Sequence, residues 1–307
     1  MNNLKVVFMG TPEFAVPILN YLIKTTNVAL VVTQPDKEIG RDHKLSFSPV
    51  KKVALDNNIE VFQPVRIRKD FDIIQELKPD LIVTCAFGQI LPKELLEIPR
   101  LGSLNVHASI LPKYRGAAPM QWAILNGDEK TGVSLMYMDE GMDTGDVIST
   151  LECPITKDDD LGTVHDKLSL LGVEILKKEL PNIIKGINAR IPQDNSLATY
   201  TKMIKREDEI IDFNDNGNNI INKIRALSPW PGASFKLNGS DFKVYKASFE
   251  KSSVKGINKV VLTKNAMGIT CLDGVIYLLR VKPCGKKEMD IKAFINGLKK
   301  DDDLNVG

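Results

Sequence analysis

The chain of 307 residues is long enough for about two domains. With 43% hydrophobic and 26% charged residues it can bury a core, which excludes a disordered polymer, and its net charge of +2 favours no partner by itself. The longest apolar runs are too short to cross a bilayer, so no membrane association is expected.

The first residues enter a strand directly, with no basic segment followed by a long apolar one. This predicts the cytoplasm, or an organelle matrix, as the location. The run LKVVFMG (4–10) reads as a buried strand, and Thr11 and Pro12 suit the N-cap and first position of a helix over 14–24. A strand over 27–34, a polar loop over 34–48, a helix over 48–58, a strand over 59–64, a short helix over 70–78 and a buried strand over 81–87 follow. This alternation predicts an α/β fold, a Rossmann-like, mostly parallel sheet with helices on both faces, and ligands beyond the carboxyl ends of its strands. The turn Gly10-Thr11-Pro12-Glu13-Phe14-Ala15 lacks the second and third glycines of a dinucleotide fingerprint, and there is no Walker A motif, which argues against a nicotinamide-dependent oxidoreductase.

The loop 34–48 mixes Lys37, Arg41, His43 and Lys44 with Asp36, Glu38 and Asp42, and so long a loop in a compact α/β unit is more often functional than a short one. After the strand ending at Phe87, Gly88 and Ile90 begin a stretch whose free backbone groups could form a slot for a flat heterocycle. The central stretch is 101–146. Asn105 and His107 are two apart in a strand and so share a face. The segment 109–116 is too rich in Pro and Gly to continue that strand, and the acidic, glycine-rich loop 139–146 can return a carboxylate to the imidazole. An amide, a histidine and a carboxylate suit acyl transfer to a nucleophile, and no serine or cysteine is placed for a covalent intermediate.

A helix over 117–126, strands over 132–138 and 146–155, and a long amphipathic helix over 161–185 complete this part, with His165 a surface or packing residue. The stretch 186–206 has little periodicity and reads as a connector. A helix over 220–227 and short strands from 242 onward predict a small β-barrel (OB-like) domain, open at its edges. Between 216 and 300, sixteen Lys and Arg face five acids, a net +11, which points to a polyanion, above all nucleic acid held through its phosphates. The expected domains are 1–188, a linker 189–206, and 207–307. The cysteines, Cys85, Cys153, Cys271 and Cys284, are scattered, and with three histidines no metal site is expected.

Several segments together resemble the methionyl-tRNA formyltransferase family over nearly the full length. They are VVFMGTPEFAVPIL, QPDK with Gly40-Arg41, AFGQILP, NVHASILPKYRGAAPMQWAI, MDEGMDTGD, SPWPGAS and GKKEMDIKAFINGLK. The resemblance implies formyl transfer from 10-formyltetrahydrofolate to the α-amino group of methionine on initiator tRNA; that chemistry requires no metal, and a monomer is expected. It makes Asn105, His107 and Asp143 the catalytic trio. It assigns Phe87, Gly88, Gln89, Ile90 and Leu91, with Asp139 and Asp143, to the pterin slot, and Ser109, Ile110, Leu111 and Pro112 to a folate-contacting loop. Arg41 would enter the acceptor stem with Lys37, His43 and Lys44 beside it, and Lys205 and Arg206 would also contact tRNA. Glu38 and Asp42 make this loop less basic than is usual in the family. In the implied chemistry Asn105 donates to the oxyanion, while His107 either shares that task or handles the amine proton, with Asp143 fixing its tautomer. Rival readings are a formyltransferase acting on glycinamide ribonucleotide or a nucleotide sugar, a 10-formyltetrahydrofolate hydrolase, and a non-catalytic RNA-binding relative.

Overall fold

The computed structural model describes residues 3–39, 44–253, 256–299 and 303–307. The chain divides into two compact units, one of Met1–Ala117, Thr131–Cys153 and His165–Thr201, the other of Ala118–Lys130, Pro154–Val164 and Lys202–Gly307. The units interleave along the chain, where the sequence reading has a single break at 189–206.

In the first unit, β1 (Lys5–Gly10) and β2 (Asn27–Val32) lead to a short antiparallel pair, β3 (Lys37–Ile39) and β4 (Lys44–Ser46), inside the stretch expected to be loop. Then come β5 (Val61–Phe62), β6 (Leu81–Cys85), β7 (Ser103–His107), the two-residue β8 (Arg115–Gly116), β9 (Lys130–Tyr137) and β10 (Val147–Pro154). The main sheet has the order β10-β9-β7-β6-β1-β2-β5. Pairings from β5 through to β7 are all parallel, and β9 joins β7 antiparallel. The strand order reverses beside β1, which opens a crevice at the carboxyl ends of β1 and β6.

Both faces of these strands are buried, as their unbroken apolar runs require. Val7, Met9 and Ile82 pack with Ile67, Ile74 and Leu95 on one face. On the other, α1 (Val16–Thr25) lies with the long helix over Leu161–Lys185, whose Ser169 Oγ donates to Phe14 O at 2.9 Å. Gly172 allows this close packing, because a Cβ there would sit 2.8 Å from Ile18 Cδ1 and 3.2 Å from Val106 Cγ1. His165 packs edge-on to Phe14 with ring centroids 5.5 Å apart, its Nδ1 2.9 Å from Asp166 Oδ1. α2 (Pro49–Asp56) starts on a Ser48 cap whose Oγ accepts from Lys51 N at 3.0 Å.

Thr11 does not cap the first helix. A 3₁₀ turn, Glu13–Ala15, precedes α1, and the Thr11 hydroxyl donates instead to Phe87 O at 3.3 Å. Gln34 Nε2 reaches the same carbonyl at 2.9 Å, so the ends of β1, β2 and β6 are tied together at the crevice.

The second unit is built on an antiparallel sheet. After β11 (Tyr200–Thr201), which belongs to the first unit, come β12 (Ala233–Leu237), β13 (Ser240–Lys251), β14 (Val260–Leu262), β15 (Met267–Cys271), β16 (Gly274–Pro283) and β17 (Met289–Asp290). Their order is β12-β13-β16-β15-β14, with β17 on β16, and isolated bridges from Ile210 to Ser234 and from Val306 to Leu237 cover the β12 edge. Phe235 anchors its core against Phe213 and Phe242, with centroids 5.4 and 5.3 Å apart. The helix Gly217–Ala226 packs on this sheet and on the helix Pro119–Leu125.

Candidate active site

Asn105 and His107 stand at the carboxyl end of β7, and the loop after β9 brings Asp143 to both. Asn105 Nδ2 donates to Asp143 Oδ1 at 3.1 Å, and the Gly116 backbone N–H donates to Asp143 Oδ2 at 2.8 Å. His107 Nδ1 lies 3.6 Å from the same Oδ2, and the imidazole is buried, 7% exposed. Asp143 has φ +54°, a left-handed conformation that aspartate tolerates better than most residues and that turns its carboxylate inward. Gly116 is required beside it, since its φ is +100° and a Cβ would fall 2.7 Å from Thr201 O.

The tautomer of His107 is set by a group other than Asp143. Nε2 lies 2.9 Å from Tyr114 O, a carbonyl that can only accept, so Nε2 carries the proton. Nδ1 faces the Asp143 carboxylate. The amide of Asn105 is also fixed in sense. Its Oδ1 lies 2.9 Å from Thr84 Oγ1, while a flipped amide would set oxygen against the Asp143 carboxylate. One N–H of Nδ2 serves Asp143, which leaves the second for a substrate oxygen.

The segment 87–91 is partly core. Phe87 and Leu91 are buried among Met9, Leu30 and Ile82, and Ile90 is 48% exposed. Gln89 clamps the preceding loop, with Oε1 accepting from Ile67 N at 2.8 Å and Nε2 donating to Pro64 O at 3.2 Å. The backbone N–H groups of Gly88, Gln89, Ile90 and Leu91 donate no hydrogen bond among the described residues. Asp139 is exposed and its Oδ1 closes its own loop, accepting from Gly141 N at 3.0 Å and Thr144 Oγ1 at 2.7 Å.

In 109–112, Ser109 is fully buried, its Oγ donating to Lys113 O at 2.6 Å, and Leu111 N donates to Ser134 Oγ at 3.1 Å. Ile110 is half-buried, and the Leu111–Pro112 peptide is cis.

Lys37 is exposed on β3. Arg41 and His43 lie outside the described residues, and of Lys44 only the backbone, in β4, is described. Lys205 and Arg206 already have acidic partners. Lys205 Nζ is 3.7 Å from Glu207, and Arg206 pairs with Glu209 and, at 2.9 Å, with Asp241.

The sequence reading missed three groups. Thr84 orients Asn105. Gln193, from the stretch read as connector, braces the Asp143 loop, and Arg115, 1% exposed, holds Gln193. That segment is ordered by β11, which pairs in parallel with β8. Burial pushes the Cys85 thiol well above its ordinary range, so it is no nucleophile at neutral pH. Cys153 and Cys271 are also buried, and Cys284 is exposed. Among the described residues, no group of three or more His, Cys, Asp or Glu could hold a metal ion.

Residues 4–180 match the formyl transferase family, and residues 203–299 match the formyl transferase C-terminal domain. The chain belongs to this family and is a formyl-transferring enzyme. A curated relative from Staphylococcus epidermidis named methionyl-tRNA formyltransferase is 45% identical over 298 residues, 96% of each chain. Another of that name, from Listeria monocytogenes, is 46% identical over 297 residues, 95% of each. A solved structure of a sugar 3N-formyl transferase, in the presence of dTDP and 5-N-formyl-THF, is 26% identical with a TM-score of 0.67, spanning 94% of this chain and 100% of that one. No helix among the described residues is long and apolar enough to cross a membrane.

Proposed function

We propose that the chain transfers the formyl group of 10-formyltetrahydrofolate to the α-amino group of methionine esterified to initiator tRNA, giving formylmethionyl-tRNA for translation initiation. The observation that carries this reading is the Asn105–Asp143–His107 cluster at the sheet's carboxyl edge. It lies in a chain about 45% identical, nearly end to end, to proteins named for that reaction.

The co-substrate supplies the formyl carbon and a leaving nitrogen, N10. The methionyl amine has an unperturbed pKa of about 8, so a useful fraction is neutral near pH 7. As its nitrogen bonds to the formyl carbon, the carbonyl oxygen gains negative charge. The free N–H of Asn105 donates to that oxyanion, a preorganised contact worth ~3 kcal/mol. His107 Nδ1 takes the amine proton, since Nε2 is committed to Tyr114 O. Asp143, 3.6 Å away, stabilises the imidazolium so formed. His107 then delivers the proton to N10 as the carbon–N10 bond breaks, leaving tetrahydrofolate. The unbonded backbone of 88–91, with Ile90, suits a flat polar ring, and Ser109–Pro112 and the Asp139 loop would flank it.

Loop 34–48, with Lys37, Arg41, His43 and Lys44, is assigned to the acceptor end, and domain 207–307 to the tRNA backbone. In the ladder of β13 with β16, Lys243 stands opposite Lys282 and Lys246 opposite Arg280. Glu209 lies 3.8 Å from Lys243 Nζ and Glu288 2.8 Å from Arg280, so one cation of each pair is balanced within the protein and the other is left for an external anion. Lys246 and Lys282 have no ion-pair partner among the described residues. The test is His107→Ala, which should abolish transfer while tRNA affinity is nearly unchanged. Normal turnover by that variant would refute the catalytic assignment.

A further inference from the structure

We propose that Gln193 is a positioning residue for the transfer reaction. It holds the Asp143 turn in place, and the buried Arg115 guanidinium enforces its orientation. The proposal rests on the role given to Asp143 above.

Arg115 is 1% exposed, and its hydrogen bonds go to neutral oxygens. Nε and Nη2 donate to Gln193 Oε1 at 3.1 and 2.8 Å, Nη2 also to Asn195 Oδ1 at 2.8 Å, and Nη1 to Tyr200 Oη at 3.0 Å. A buried cation without a carboxylate partner is costly, so its placement needs a reason. A guanidinium has donors only, and it therefore obliges the Gln193 amide to present oxygen to it. The amide nitrogen must then point the opposite way. There Nε2 donates to Asp143 O at 2.9 Å and to Gly145 O at 2.7 Å, using both of its N–H groups.

Those two carbonyls flank the turn in which Asp143 has φ +54°. A flipped amide would oppose oxygen to two carbonyl oxygens and NH₂ to the guanidinium, losing every one of these bonds. The cation also polarises the amide and strengthens its N–H donors. A residue fifty positions away in sequence thus grips the backbone of Asp143, whose carboxylate meets Asn105, Gly116 and His107. Small displacements of a group so placed cost rate far more than binding.

The test compares wild type, Gln193→Glu, Gln193→Ala, Asp143→Asn and the double variant Asp143→Asn with Gln193→Glu. For each, kcat, both KM values and the melting temperature are measured with 10-formyltetrahydrofolate and methionyl initiator tRNA. Gln193→Glu keeps an oxygen for Arg115 but has no N–H for the two carbonyls. It should lower kcat by roughly 10- to 100-fold with KM values within about twofold and no loss of melting temperature. In the Asp143→Asn background it should cost less than about twofold more, because the position through which it acts is already disabled. Gln193→Ala should match the kcat loss and melt earlier. Wild-type kcat in Gln193→Glu, a loss confined to KM, or an equal loss in both backgrounds would overturn the proposal. An inactive wild type would instead overturn the underlying functional reading, and would be seen before any variant is compared.

Discussion

Replacing Asn105 by alanine separates the oxyanion role from a structural one. The amide makes two contacts within the protein, donating to Asp143 Oδ1 at 3.1 Å and lying 2.9 Å from the Thr84 hydroxyl. Neither partner is stranded by its loss. Asp143 keeps the Gly116 N–H at 2.8 Å, and Thr84 Oγ1 has Leu104 O at 3.0 Å. The structural cost is therefore that of one hydrogen bond, about 1 kcal/mol, or roughly 2–4 °C in Tm for a domain of this size. The catalytic cost is larger. Losing the free N–H should cost ~3 kcal/mol, a fall in kcat of roughly 10²- to 10³-fold. Single-turnover formylation of methionyl initiator tRNA, read beside thermal unfolding, separates the two. A kcat within about threefold of wild type would refute the oxyanion assignment. So would a rate loss matched by a collapse in stability.

Three further outcomes are expected. Gly116→Ala forces a Cβ to within 2.7 Å of Thr201 O at φ +100° and disturbs the N–H that holds Asp143, so activity should fall with stability, as kinetics and melting together would register. Lys246→Glu and Lys282→Glu should weaken tRNA binding and lower the salt slope by about one ion each, with folate binding unchanged, as measured by titration at several salt concentrations. These substitutions test the basic domain more cleanly than truncation at 207, because the helix Gly217–Ala226 packs on Pro119–Leu125 and truncation would strip that cover. Asp80 has its carboxyl held below the usual range, first by the Lys5 backbone N–H at 2.8 Å and also by Arg100 at 2.7 Å. A depressed carboxylate stabilises the fold above its unfolded pKa of about 3.9 and stops doing so as pH falls through its folded value. Wild type should therefore lose its Tm advantage over Asp80→Asn in that acidic range, and an advantage independent of pH would contradict the cause given.

What the sequence made legible was local. Apolar runs of five to seven residues between helical patterns announced a buried parallel sheet, and the Asn105–His107 spacing placed both on one face of a strand. What it hid depends on pairings between distant residues. Thr11 has the chemistry of a cap, but its hydroxyl finds Phe87 O, 76 positions on. The stretch 186–206 lacks periodicity because its polar groups are satisfied by β8, Arg115 and the Asp143 turn, partners that no local window contains. Thr84 was concealed for the same reason, since a threonine in a buried strand reads as filler until the neighbouring strand puts Asn105 beside it. Asp143 was visible as a carboxylate in a glycine loop, but the Tyr114 carbonyl that meets the imidazole at Nε2 carries no side-chain signature at all.

The most direct measurement offers 10-formyltetrahydrofolate together with methionyl initiator tRNA, free methionine and a nucleotide-linked amino sugar, each in a separate reaction, and follows formylated product and folate turnover. The account predicts formylmethionine recovered from the charged tRNA alone, with one tetrahydrofolate formed for each formyl transferred. Formylation of the free amino acid or the amino sugar at a comparable rate, or folate turnover with no acceptor formylated, would contradict it.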